Sequence, residues 1–196
     1  AFIVLMAGTG IPGDSLLSLQ QELIAKAYGM SDADYQKIKP FNKGMLDIVK
    51  HSTNAGQLKS ALSDYVHAQV SKNPSFLQGM SEQDYVQSLS NRLAGQWMPY
   101  FLNYDPAIAL QQVHCPVLAI NGSKDVQVPA TSNLDAIKVA LAKGGNHHVT
   151  IHEFPNMNHM FQECTTGSPA EYATIDQTIA PVVLNEIASW ITTQTK

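Results

Sequence analysis

At 196 residues, with 44% hydrophobic and 14% charged side chains, the chain is long enough to bury a substantial core and too apolar to stay disordered. Its net charge of −4 and singly scattered basic residues exclude a phosphate-tracking surface for nucleic acid. No apolar run approaches the roughly 20 residues of a membrane span.

In chain order, Phe2–Ala7 is a continuous apolar run ending in Gly8-Thr9-Gly10, the pattern of a strand buried on both faces. Beginning inside a core strand, the chain leads us to expect further sequence upstream of Ala1. From Asp14 to about Gln112 the pattern turns helical. Leu16, Leu19, Leu23 and Ala27 recur at helical spacing after a cap at Asp14, and Gly29 closes that helix. Ser31 or Asp32 opens the next, which Pro40 is expected to interrupt. Further helices are expected over Ala55–Ser71 and Ser81–Leu93, the second with a capping box of Ser81 and Asp84. From Val113 onward strands alternate with helices. Val117–Ile120 is a strand; Leu134, Ile137 and Leu141 mark a helix closed by Gly144-Gly145; Val149–Phe154 is the next strand. Pro181 starts a final helix with Leu184, Ile187, Ala188 and Ile191 as its buried stripe. Such alternation argues for parallel βαβ units. The expected fold is therefore α/β, divided into a core strand and turn (1–13), a helical insertion (14–112) and an α/β core (113–196).

Two turns carry the chemistry. Asn121-Gly122-Ser123-Lys124-Asp125 ends one apolar strand on an acid, and Pro155-Asn156-Met157-Asn158-His159 follows the next strand with a histidine. Parallel sheets build their sites at the carboxyl ends of adjacent strands. A carboxylate there can accept a histidine Nδ1–H, fix its tautomer and leave Nε2 as a base. Met160 and Phe161, flanking the histidine, are read as a packed pocket wall. No G-x-S-x-G, the strand-to-helix elbow that exposes a nucleophilic serine, occurs in the chain.

Pro116 to Pro129 and Phe154 to Gln162 resemble the closing strands of the α/β-hydrolase family, in the branch of dienelactone hydrolases and prolyl-oligopeptidase-like esterases. There an N-G-x-K-D block carries the acid and N-H-x-F the histidine. The likeness extends, more weakly, to Ala1–Gly13 and Trp97–Pro106. It implies the C-terminal part of an α/β-hydrolase fold, parallel strands with flanking helices and an inserted helical cap. The implied function is a serine hydrolase for small carboxylic esters, with a catalytic triad, Asp125 and His159 supplying two members and no cofactor or metal. Family order is serine, acid, histidine, so the serine would precede Ala1 and the chain would lack its nucleophile. The insertion stands where the family carries its cap. There Trp97, Met98, Phe101 and Tyr104 either face the acyl pocket or form cap core; with Met160, Trp97 and Phe101 are the substrate contacts implied.

Other readings come from different residues. Gly13-Asp14-Ser15-Leu16 spells the Gly-Asp-Ser-Leu block of another esterase group, with Ser15 as nucleophile, but Ile11-Pro12 separate it from the strand. His147, His148 and His152 cluster locally without a Cys or carboxylate spaced to complete a metal site. Cys115 and Cys164, at opposite ends of the expected sheet, are read as ordinary thiols without a bridge. A first strand lacking an upstream neighbour exposes an edge, and this predicts a homo-oligomer formed through that strand.

Overall fold

The computed structural model describes residues 1–77, 79–93, 95 and 97–195. Its elements run β1 (Ile3–Met6), α1 (Gly13–Ala27), α2 (Asp32–His51), α3 (Ala55–Val70), a 3-10 turn (Pro74–Leu77), α4 (Glu82–Leu93), α5 (Trp97–Asn103), α6 (Pro106–Leu110), β2 (Val117–Gly122), α7 (Ala130–Lys143), β3 (Val149–Phe154), a second 3-10 helix (Pro169–Thr174) and α8 (Pro181–Gln194). They form two compact units: an α/β unit of residues 1–30 and 105–196, and a helical unit, Ser31–Tyr104. The helical unit is narrower than the insertion of 14–112 expected from the pattern, because α1 and α6 group with the sheet.

The protein is of the mixed α/β class. Among the described residues its sheet has three parallel strands in the order β1-β2-β3, with Ile3 opposite Val117 and Val117 opposite Val149. Every residue of β2 is buried, as the middle strand of a parallel sheet requires. Successive side chains of a strand point to opposite faces. Val117 and Ala119 accordingly pack with Ala130, Leu134, Ile137 and Leu141 of α7, while Leu118 and Ile120 pack with Ala180, Val183 and Trp190 at α8. β1 corrects an expectation. It is only half-buried and Met6 is exposed, because among the described residues β2 is its one partner.

The ends of α1 and α7 follow from glycine chemistry. Gly29 and Gly145 adopt φ of 89° and 82°, and each lets two amides turn back onto the last turn: Gly29 N–H to Lys26 O and Met30 N–H to Ala25 O, Gly145 N–H to Ala142 O and Asn146 N–H to Leu141 O. At its start α1 differs from expectation. Pro12 occupies the cap position and makes no side-chain bond, which leaves Asp14 in the first turn.

α8 is also shifted. Val183 and Trp190 are its buried residues, Ile187 and Ile191 are half-buried, and Leu184 and Ala188 face outward. The stripe turns toward Trp190 because that indole has partners there: Nε1–H donates to Thr150 Oγ1 at 3.0 Å and the ring meets Phe2 edge-on at 5.7 Å.

Within the helical unit, α2 runs through Pro40 without a break. The proline removes one hydrogen bond, but Tyr35, Phe41, Met45, Leu46 and Val49 form one buried face across it, and that apolar burial outweighs the local loss. Phe41 stacks on Phe76 at 4.4 Å and on Tyr65 at 5.7 Å. Half of the expected capping box of α4 is present: Ser81 Oγ accepts from Asp84 N–H at 3.1 Å, while the Asp84 carboxylate accepts from the Ser81 hydroxyl at 2.6 Å. No helix among the described residues is long and apolar enough to cross a membrane.

Candidate functional site

The site grows from the carboxyl ends of β2 and β3. Where β2 ends, Asn121 is fully buried, and its Nδ2 donates to Val128 O at 2.7 Å. That bond bends the acid loop back beside the strand. Asp125 sits in the bend with its side chain wholly inaccessible. Oδ1 accepts the main-chain N–H of Gln127 and of Val128, each at 2.8 Å. A carboxylate held this way cannot rotate, so Oδ2 has a fixed direction.

After β3 the chain turns through Asn156, at φ 59°, into the histidine loop. This loop is fastened to the acid loop. Ser123 N–H donates to Phe154 O at 2.8 Å, Lys124 N–H to Met157 O at 2.9 Å, and Asn156 N–H to Ser123 Oγ at 2.9 Å. Gly122 permits the approach, because a Cβ there would run into the carbonyl oxygens of Met157 and Asn158. The loops meet at His159 Nδ1, 2.8 Å from Asp125 Oδ2. A carboxylate only accepts, so Nδ1 carries the hydrogen and Nε2 is left with a lone pair. Among the described residues Nε2 has no hydrogen-bond partner, and the imidazole is 28% exposed. The pair can therefore take a proton at Nε2 and hold the resulting imidazolium against a buried negative charge.

A third segment braces the acid loop. Lys124 Nζ donates to Thr165 O at 2.7 Å and Cys164 O at 3.3 Å, and Glu171 accepts the amides of Thr166 and Gly167. Gln127 Nε2 donates to Tyr172 OH at 2.8 Å, while Gln127 O accepts from Gln20 of α1 at 3.2 Å. Burial pushes the Tyr172 phenol up, and the Asp125 charge adds to the shift. Burial also pushes the Cys164 thiol up, with Glu171 adding to it, so this thiol is not an activated nucleophile. Both cysteines are free thiols.

The structure thus brings Asp125 and His159 together and leaves Met160, the next residue in the chain after His159, 48% exposed. Phe161 departs from the expected pocket wall: it is buried and packs edge-on against Phe154 at 6.3 Å in the core. Ser15 is exposed at the start of α1, where its hydroxyl bonds Asp14 Oδ1 at 3.2 Å and not His159. Trp97 and Phe101 belong to α5 in the helical unit, where their rings stack at 5.7 Å and Trp97 is 65% exposed. His147, His148 and His152 remain apart from any ligand set: among the described residues no three His, Cys, Asp or Glu side chains are grouped to hold a metal ion. Sequence reasoning missed Asn121, Gly122 and Gln127. Asn121-Gly122 reads as a plain turn signal, and only the partners across the fold reveal the anchoring.

Comparison of the chain with models of protein families, with curated proteins and with solved structures found no match.

Proposed function

We propose that the α/β unit is the C-terminal part of a serine hydrolase of the α/β-hydrolase type, acting on carboxylic esters. The observation that carries this reading is the 2.8 Å bond between His159 Nδ1 and a fully enclosed Asp125, hung from the tips of adjacent parallel strands. The strand order β1-β2-β3 and a helical unit inserted between β1 and β2 support it as well. In this reading His159 Nε2 takes the proton from a serine hydroxyl as the oxygen attacks the ester carbonyl. It then returns that proton to the departing alkoxide, leaving an acyl-enzyme that water hydrolyses by the same relay. Asp125 keeps the ring in the required tautomer, and Met160 contacts the substrate. In family order the attacking serine belongs to a strand-to-helix turn that precedes the acid, and these 196 residues contain no G-x-S-x-G.

The test compares hydrolysis of p-nitrophenyl acetate by this chain with hydrolysis by the same chain extended upstream through its own gene. The extended form is expected to turn over and to be labelled by a fluorophosphonate, and His159→Ala should abolish both. An extension without a serine on a strand-to-helix turn, or unchanged turnover in His159→Ala, overturns the assignment. Turnover lost in Ser15→Ala would move the nucleophile to α1.

A second reading rests on the outer edge of β1, which has no strand partner among the described residues, with Met6 41% exposed. An open edge of this kind pairs with a second strand, so the chain would act as a self-associating module. Light scattering at rising concentration tests it: a growing mass supports it, and a constant monomer mass removes it.

A further inference from the structure

We propose that Asn158 is the positioning residue of His159, fixing the imidazole toward Asp125 through its carboxamide. The inference rests on the reading of His159 as a base oriented by Asp125, and it names the part that aims the ring. Asn158 is fully buried at the root of the loop 158–162, and each polar group on it is used. Oδ1 accepts the N–H of Met160 at 2.9 Å and of Gln162 at 3.1 Å. Nδ2 donates to Gln162 Oε1 at 2.9 Å. The main chain closes the same loop, Asn158 N–H donating to Gln162 O and Phe161 N–H to Asn158 O, both at 3.0 Å.

The loop is anchored outward at two points. Gln162 Nε2 donates to Gln177 O at 2.7 Å, and Phe161 O accepts from Ala180 N–H at 2.9 Å just before α8. Phe161 itself sits at φ 56°, a left-handed conformation that a bulky side chain holds only when its surroundings impose it. His159 is thus flanked by a buried amide on one side and by an amide that this group binds on the other. Neither neighbour can rotate without breaking a bond of the Asn158 carboxamide.

The chemistry also explains why the residue is asparagine. An aspartate would still accept from Met160 and Gln162. It would, however, present a second buried negative charge to Gln162 Oε1 with no hydrogen to donate. An alanine would leave two loop amides without an acceptor.

The test is proton and nitrogen NMR of His159 in the full 196-residue chain, carrying Asn158→Ala or Gln162→Met. In the parent the neutral ring is expected as a single Nδ1–H tautomer, with a far-downfield Nδ1–H signal. Asn158→Ala, measured in a Trp97→Phe background where Trp190 emission reports a folded α/β unit, should give mixed tautomers and lose that signal. A purely structural asparagine would lower stability and leave the ring signals of the folded form unchanged; that outcome overturns the proposal. Should Asn158→Ala fail to fold, Gln162→Met removes the Nδ2 acceptor from the other side, and parent-like ring signals there overturn it equally. The outcome separates from the hydrolase reading: an intact parent signature without ester turnover in any form defeats the hydrolase and leaves the positioning role standing.

Discussion

Replacing Asp125 tests whether the acid has two separable tasks, holding its own loop and orienting His159. Asp125→Ala removes the acceptor of two amides and the partner of the imidazole. The Val128 amide bond is buried and the Gln127 one half-buried, so losing the acceptor costs about 3 kcal/mol for the two together. The lost histidine contact adds only about 1 kcal/mol, because the ring is more than a quarter exposed. Asp125→Asn keeps Oδ1 for both amides and should cost about 1 kcal/mol. It nevertheless puts an N–H donor against Nδ1, which drives His159 to the Nε2–H tautomer and removes the base. Ester turnover by the extended form should then fall about 10⁴-fold, the size of the tautomer effect known for such pairs.

The assay is urea unfolding followed by Trp190 emission in a Trp97→Phe background, since the chain has two tryptophans and Trp97 belongs to the other unit. With a slope of about 2 kcal/mol per molar urea, the difference of about 3 kcal/mol between the variants separates their midpoints by about 1.5 M. Coincident midpoints for Asp125→Ala and Asp125→Asn would refute the anchoring role of Oδ1.

Two further outcomes are expected. Gly122→Ala should cost about 1–3 kcal/mol by overpacking, because its Cβ meets two main-chain carbonyls that cannot step aside. The same change should abolish the downfield His159 signal, and retention of that signal at full stability would contradict the close loop contact. For Glu171, desolvation raises the carboxyl, but the amides of Thr166 and Gly167 together with Lys124 outweigh it and hold it below the ordinary glutamate range. The stability it lends is therefore present above the unfolded-state value near 4.3 and fades as pH falls through the lower folded value. The gap between the parent and Glu171→Gln in unfolding scans should shrink on acidification; a gap that is constant or widens between pH 7 and 3 would show the sign to be wrong.

Much of the α/β unit was legible from periodicity. The apolar runs at Val117 and Val149, the α7 stripe of Leu134, Ile137 and Leu141, and the turn positions of Asp125 and His159 all follow from local pattern and end up where pattern put them. Illegible were features that depend on a partner far along the chain. Asn133 looks like any polar helix residue, yet it is fully buried and its Oδ1 accepts from Gly10 N–H at 2.9 Å, 123 positions away. The phase of α8 was misjudged because Val183 and Leu184 are equally apolar, and Trp190 decides between them only through Thr150 and Phe2. Pro40 misled for the opposite reason: a local rule was overridden by a buried face that extends on both sides of it.

The fastening of the acid loop to the histidine loop has a consequence for redesign. Because Ser123 and Lys124 join the histidine loop through their main-chain amides and the Asn156 amide binds the Ser123 hydroxyl, the acid and the histidine behave as a single mechanical part, and a sequence change within that seam disturbs both at once. Met160 hangs outside it, partly in solvent and adjacent to the base. In the proposed hydrolase, diversifying position 160 while leaving 121–128 and 154–159 untouched is the route by which ligand preference could be altered with the Asp125–His159 pair kept in register.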